Sequence, residues 1–306
     1  MTYFVFMEVF MEKTFKTLDE QIEILKNKGL KITNLEEAKY ILSKMNYYQL
    51  INGYQTPFLE KNSKNKCFIK NTTINEIYSL YELDRKFKIL LMEYLLIFEN
   101  NLKSTFSYHF SKIYNEPYSY LNINSYSKKN INFALVSISE FSNLLKKNKI
   151  PIKHYLEKHN FVPLWVIINY ATLGNLSNFF NAMNENIKND IISDFNNSYN
   201  LQYNESINLT IYQLKDLIEI SKHYRNISAH NDLLYSSKPP IIKSDFNNLI
   251  NIPANTIFGL INLLKYVIPK EQYNNLNSSI NYQIKKYNQS FNSISSTEIF
   301  KNYGIK

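Results

Sequence analysis

The densest chemistry in the chain lies in nine residues, KHYRNISAH, running from Lys222 to His230. They hold Arg225, one of only two arginines among 306 residues, next to Asn226 and five positions before His230. In a lysine-rich chain an arginine marks a place where a planar, two-pronged donor is wanted, because a guanidinium grips two phosphate oxygens at once and an ammonium cannot. A histidine can take or return a proton near neutral pH. RNA carries its own nucleophile, the 2′-hydroxyl. An Arg–His pair that deprotonates it and steadies the crowded phosphate needs no metal, and the carboxylate cluster of a two-metal nuclease is missing here. The same spacing also arises by chance, in a helix whose polar residues merely cap neighbouring loops.

Read as one helix, LKDLIEISKHYRNISAH puts Leu214, Leu217, Ile218, Ser221, Tyr224 and Ser228 on one side. His223, Asn226 and His230 follow at i, i+3 and i+7 and stack on another face, with Arg225 beside them. A helix from about Glu205 through His230 is therefore the element that positions these groups. Other helices are predicted around it. Thr17 and Glu20 form a capping box before a helix that stops at Gly29, and Asn34 caps the next. From Thr73 to Tyr114 apolar residues recur at three- and four-residue steps, the mark of one long helix. Further helices are expected over Ile131–Lys147, after Pro151 and Pro163, and from Pro253 toward Val267. Trp165, among Leu164, Val166, Ile167 and Ile168, reads as core. No strand alternation is visible, so the fold class is all-α: a small helical N-terminal region (1–70), a helical core (71–270) and a polar C-terminal tail (271–306). The lysine-rich stretch Glu60–Lys66 reads as the boundary loop.

Composition limits the rest. With 44% hydrophobic and 15% aromatic residues the chain can bury a sizeable core, and 5 glycines and 8 prolines leave long uninterrupted segments. One cysteine, Cys67, excludes an internal disulfide framework and fits a reducing cytoplasm. The opening MTYFVFMEVFMEK makes a poor signal peptide, and no apolar run is long enough to span a membrane. A net charge of +9 attracts nucleic acid or anionic membrane, although AT-rich coding would also enrich lysine.

The stretches LDEQIEILKNKGLKI, MNYYQLINGYQTPF, IYSLYELDRKFKILLMEYLLIFENNLKS, HNFVPLWVIINYATLGNLSNFF and HYRNISAHNDLLY, in that order, carry a family resemblance. The chain resembles the Abi-like abortive-infection proteins of the AbiD/AbiF group, and RNISAH resembles the R-x4-6-H motif of HEPN ribonucleases. The resemblance implies a HEPN-type helical bundle, bacterial phage defence and RNA as target, with Arg225, Asn226 and His230 in the motif positions. It also implies a composite site in which two motifs face each other, within one chain or across a homodimer. Lys103 and His109 are the candidate second motif, against the alternative that Glu99 and Lys103 are an i, i+4 pair on an exposed helix and His109 bonds a backbone carbonyl. The chain departs from the family at Asn169, where an acidic residue is common, and at Lys103, where arginine is common. His223 and Arg85 are candidates for RNA contact or for bracing, Arg85 beside Asp84 and its i, i+4 neighbour Lys88.

The reading that follows is a cytoplasmic, metal-independent endoribonuclease with no cofactor. Arg225 would stabilise the phosphate, His230 would move the proton, and Asn226 would orient either. Two alternatives stay open: an RNA-holding module without cleavage, acting with a structured RNA or protein partner, and a toxin silenced by an antitoxin.

Overall fold

A computed structural model describes residues 14–61, 66–147, 149–230, 232–237 and 241–305. The opening apolar segment and most of the expected boundary loop lie outside the described residues. The structure is 68% helical. Among the described residues the only β contacts are two isolated bridges, Lys31 with Thr73 and Leu59 with Phe68. The chain is an all-α bundle, and no described helix is long and apolar enough to cross a membrane.

The described residues form two compact units, 14–82 with 289–296 and 83–288 with 297–305. In the first unit, α1 (Leu18–Asn27) starts at the Thr17–Glu20 capping box, and Gly29 follows it at φ +88°, a backbone only glycine adopts without cost. Helix α2 (Leu35–Lys44) starts at Asn34, whose side chain accepts the Glu37 N–H at 3.2 Å. Ile22, Leu25, Ala38 and Ile41 are buried, and Phe58 meets Phe291. Helix α3 (Ile74–Ile113) matches the long helix expected from its apolar steps. Its first turns bury Ile74, Ile77 and Leu80, and the two units part after Glu82, inside α3.

The second unit holds α4 (Ile131–Leu145), α5 (Ile150–His159), α6 (Leu164–Ile167), α7 (Leu173–Ala182), α8 (Glu185–Tyr203), α9 (Ile211–Ala229), α10 (Ile257–Leu264), α11 (Lys270–Tyr287) and α12 (Ser296–Lys301), although Ser296 itself groups with the first unit. Helix α7 is sandwiched between α4 and α9. Its Phe179 centres an aromatic cluster, 5.0 Å from both Phe110 and Phe141, while Phe180 stacks on Phe106. Such ring pairs add about 0.5–1.5 kcal/mol each beyond the area they bury.

Two expectations need correction. The helix carrying Arg225 begins at Ile211, not near Glu205: Asn204 ends α8 in the left-handed region, and Thr210 caps the new helix. Trp165 is 55% exposed, and Leu164, Ile167 and Ile168 are the buried members of its segment. The C-terminal region, read as polar and able to form helix, holds α11 and α12 and buries Leu276, Ile280, Ile299 and Tyr303.

Glu76, near the start of α3, is buried. It accepts the Asn292 and Ser293 N–H groups at 2.7 Å each and the Thr73 N–H at 2.9 Å. Burial alone would raise its carboxyl, but the N–H groups of Ser293, Thr73 and Asn292 hold it below the ordinary glutamate range. Because the native value is depressed, its stabilisation is full above the ordinary range and is lost as pH falls through the lowered value. Glu76→Gln is expected to cost about 1.5–3 kcal/mol at neutral pH. The penalty should shrink on acidification, as read from urea midpoints across the acid limb.

Candidate functional site

Helix α9 is fixed at its start by a second capping box. Thr210 accepts the Gln213 N–H, and Gln213 accepts the Thr210 N–H at 3.0 Å. The same Gln213 amide donates to the Asp245 carbonyl and Asn248 Oδ1, both at 2.7 Å. Leu214, Leu217, Ile218, Ser221 and Tyr224 are buried, as their spacing predicts, and Tyr224 Oη donates to the Asn255 carbonyl. Burial pushes the Tyr224 phenol well above its usual range, so it is a fixed donor. Glu219 links α9 to α7, accepting from the Ser177 hydroxyl and pairing with Lys222.

The opposite face of the last turns carries the candidates. Arg225 and His223 are half-buried, and Asn226 and His230 are exposed. Arg225 Nε, His223 Nε2 and Ser228 Oγ are out of solvent contact yet have no hydrogen-bond partner among the described residues. An unpaired buried polar atom costs about 1–3 kcal/mol, so the Arg225 and His223 nitrogens are left with unused donor or acceptor capacity at this end of α9. Burial holds the His223 imidazole below its ordinary range, so it is neutral at neutral pH.

His230 does not share the helical face as its spacing predicts. The helix ends at Ala229, and His230 is its C-cap, with extended backbone (φ −114°, ψ 174°). Its N–H still closes the last turn onto the Asn226 and Ile227 carbonyls at 3.2 and 3.3 Å. His230 is therefore held by α9 through its N–H and leads the chain away from the helix axis through its extended backbone.

Lys103 and His109 stand elsewhere within the chain. Lys103 is 7% exposed and donates to Glu99 at 2.6 Å and to the Asn169 carbonyl at 3.2 Å. The Glu99–Lys103 pair is thus buried, not on an exposed helix. His109 is also buried, with Nε2 2.7 Å from Asp194 Oδ2 and Nδ1 4.0 Å from Asp190. Lys88 on the same helix reaches the carbonyl of Asp232, two residues past His230. His109 lies twenty-one residues farther along α3, about 30 Å at 1.5 Å per residue. The partners of Lys103 and His109 are Glu99, the Asn169 carbonyl and the α8 aspartates, and neither Arg225 nor His230 is among them. Arg85 is half-buried on α3.

Asp84, expected beside Arg85 as part of a buried brace between helices, is fully buried, accepting the Leu234 N–H at 3.1 Å and the Tyr303 hydroxyl at 2.9 Å, with Lys88 3.7 Å away. The signal was present: Asp84 interrupts the apolar stripe Leu80, Leu83, Phe87, Leu91. No group of three or more His, Cys, Asp or Glu side chains among the described residues is placed to hold a metal ion. A cavity of about 560 Å3 opens beside Asn101, Asp194, Tyr199 and Lys265, and no α9 residue lines it.

The model of the family described as Abi-like protein matches residues 40–236, from within α2 to just past His230. The chain belongs to the Abi-like protein family. No curated protein and no solved structure matches it. Abi-like membership suggests a role in abortive-infection phage defence. The matched span includes α9, Asp84 and Leu234, and Tyr303 lies outside it.

The buried Glu99–Lys103 pair gives a test of where Lys103 acts. Lys103→Met leaves Glu99 charged and unpaired in the interior and is expected to cost about 3–5 kcal/mol. The double change Glu99→Gln with Lys103→Met should recover most of that, as read from urea unfolding of the four proteins in the cycle.

Proposed function

We propose that this Abi-like chain is a metal-independent endoribonuclease that cuts RNA through attack by its own 2′-hydroxyl. The supporting observation is the end of α9, where the Arg225 guanidinium has an unpartnered buried Nε beside exposed Asn226 and His230. In this reading Arg225 grips the non-bridging phosphate oxygens and stabilises charge as it builds on them. The His230 imidazole takes the proton from the 2′-hydroxyl. The 2′ oxygen bonds to phosphorus, the bond from phosphorus to the 5′ oxygen breaks, and that oxygen leaves with a proton from imidazolium or water. The products are a 2′,3′-cyclic phosphate and a 5′-hydroxyl. Asn226, one residue from the arginine, orients the phosphate. The chain's net charge of +9 favours a polyanionic substrate.

A second reading is an RNA-holding module without cleavage. It is favoured by one observation: Lys103 and His109 already bond Glu99 and Asp194, which occupies groups that a second motif would use. Under the cleavage reading the second motif comes from α9 of another copy.

Purified protein incubated with total RNA distinguishes the two. His230→Ala should abolish cleavage and leave binding intact. Arg225→Lys should lower the rate about a hundredfold or more despite keeping the charge. EDTA should change nothing, and a 2′-deoxy substitution at the cut site should block the reaction. Equal cleavage of the deoxy and all-ribose substrates would refute 2′-hydroxyl attack. Binding without cleavage by the wild type would establish the holding reading. In either case the affinity should fall linearly with salt on logarithmic axes.

A further inference from the structure

His230 sits on extended backbone at the end of α9, held by the helix on one side and by whatever fixes the chain immediately beyond it on the other. Asp232 is two residues on and no more than about 7 Å away along the backbone. Its carbonyl accepts from Lys88 Nζ at 3.1 Å. The next anchor is the Leu234 N–H, held by Asp84 Oδ2 at 3.1 Å, with the Leu234 side chain fully buried. The third is Tyr235, whose hydroxyl accepts from the Asn302 side-chain amide and whose ring meets Tyr303 edge-on at 5.5 Å. Tyr303 is itself fully buried, its hydroxyl donating to Asp84 Oδ1 at 2.9 Å and its ring edge-on to Phe87 at 4.9 Å. Its carbonyl accepts the Phe258 N–H at 2.9 Å, which ties the last turn of the chain to α10.

We infer that Asp84, with Tyr303 behind it, is a positioning element for His230. The inference rests on the reading of His230 as the proton-moving residue. Asp84 acts through the backbone. It works because a fully buried carboxylate must have its oxygens satisfied, and here one oxygen takes a backbone N–H four residues after the catalytic position. The other takes the Tyr303 hydroxyl from the C-terminal segment. Lys88, one helical turn along α3, offsets the carboxylate charge and holds a second point of the same segment. Two consecutive anchors on a helix leave the segment one register relative to α3, and so leave the His230 ring one arrangement relative to Arg225. The C-terminal residues, outside the span matched by the family, thereby become part of the catalytic apparatus of this chain.

The test uses the full-length protein with ring-labelled histidine. The chain has five histidines, and His230→Ala assigns the His230 signal. Tyr303→Phe removes one donor and keeps the packed ring, and Asp84→Asn removes the charge. Lys103→Ala serves as a destabilised control on the same helix, fifteen residues beyond Lys88 and bonded to Glu99 and the Asn169 carbonyl rather than to residues 232–235. Each variant is measured for cooperative thermal unfolding, RNA affinity, single-turnover cleavage and the His230 ring signal. The expected result is that Tyr303→Phe and Asp84→Asn fold and bind RNA as the wild type does. Cleavage falls about tenfold to a hundredfold, the loss that accompanies misplacement by about 1 Å, and the His230 signal shifts or broadens. In the Lys103→Ala control that signal stays in place. Unchanged His230 signals in folded Tyr303→Phe and Asp84→Asn overturn the inference. If Asp84→Asn does not fold, Tyr303→Phe decides. If the wild type does not cleave RNA, the ribonuclease reading fails while the His230 signal still decides whether Asp84 positions the ring.

Discussion

A long helix that buries charge must find partners for it, and α3 buries charge in both units. Glu76, Asp84, Lys88, Glu99, Lys103 and His109 are all at or below 9% exposure. A lone ion in that setting would be prohibitive. Except for Glu99, each reaches a segment far away in sequence: Glu76 the turn at 292–293, Asp84 and Lys88 the turn at 232–234, Lys103 the Asn169 peptide, and His109 Asp194 on α8. Apolar packing can slide by a fraction of a side chain at little cost. A carboxylate seated on two N–H groups cannot, and so the polar contacts of α3 fix register where the aromatic core fixes only proximity. This division of labour lets exposed, weakly packed residues such as Asn226 and His230 have defined places.

Much of the fold could be read from local signals. Capping boxes at Thr17 and Thr210 and the N-cap at Asn34 act within four residues and need no tertiary help, and the apolar steps of α3 repeat long enough to be unambiguous. Helix α8 was not anticipated because its sequence is crowded with asparagine and serine. Yet Ile187, Ile191, Ile192, Phe195 and Tyr199 recur at helical spacing and are all buried. Trp165 misled because its neighbours are apolar: in a four-residue helix, flanking hydrophobicity does not say which way one side chain turns.

The site was legible as a set of residue types and less so as a geometry. Arg225, Asn226 and His223 lie on one end of α9 as their spacing implied. His230 falls at the C-cap rather than inside α9, and the segment just beyond it is held at Asp232 and Leu234 by Lys88 and Asp84, contacts that no local pattern reports. Lys103 and His109 illustrate the converse. Their spacing resembles a motif, but a buried glutamate four residues away and an aspartate eighty-five residues away already hold them. In each case the deciding quantity was the burial of a charge, which depends on the whole fold.

The exposure of Trp165 gives the molecule an internal lamp. It is the single tryptophan among 25 tyrosines and 20 phenylalanines, and Asn169, whose carbonyl the Lys103 ammonium grips, donates its side-chain amide back to the Trp165 carbonyl at 2.7 Å. Light absorbed by indole alone is emitted from α6 and nowhere else. The colour of that emission reports whether water or a bound macromolecule lies against this one helix, and its polarisation reports how tightly the buried ammonium holds the turn beneath it.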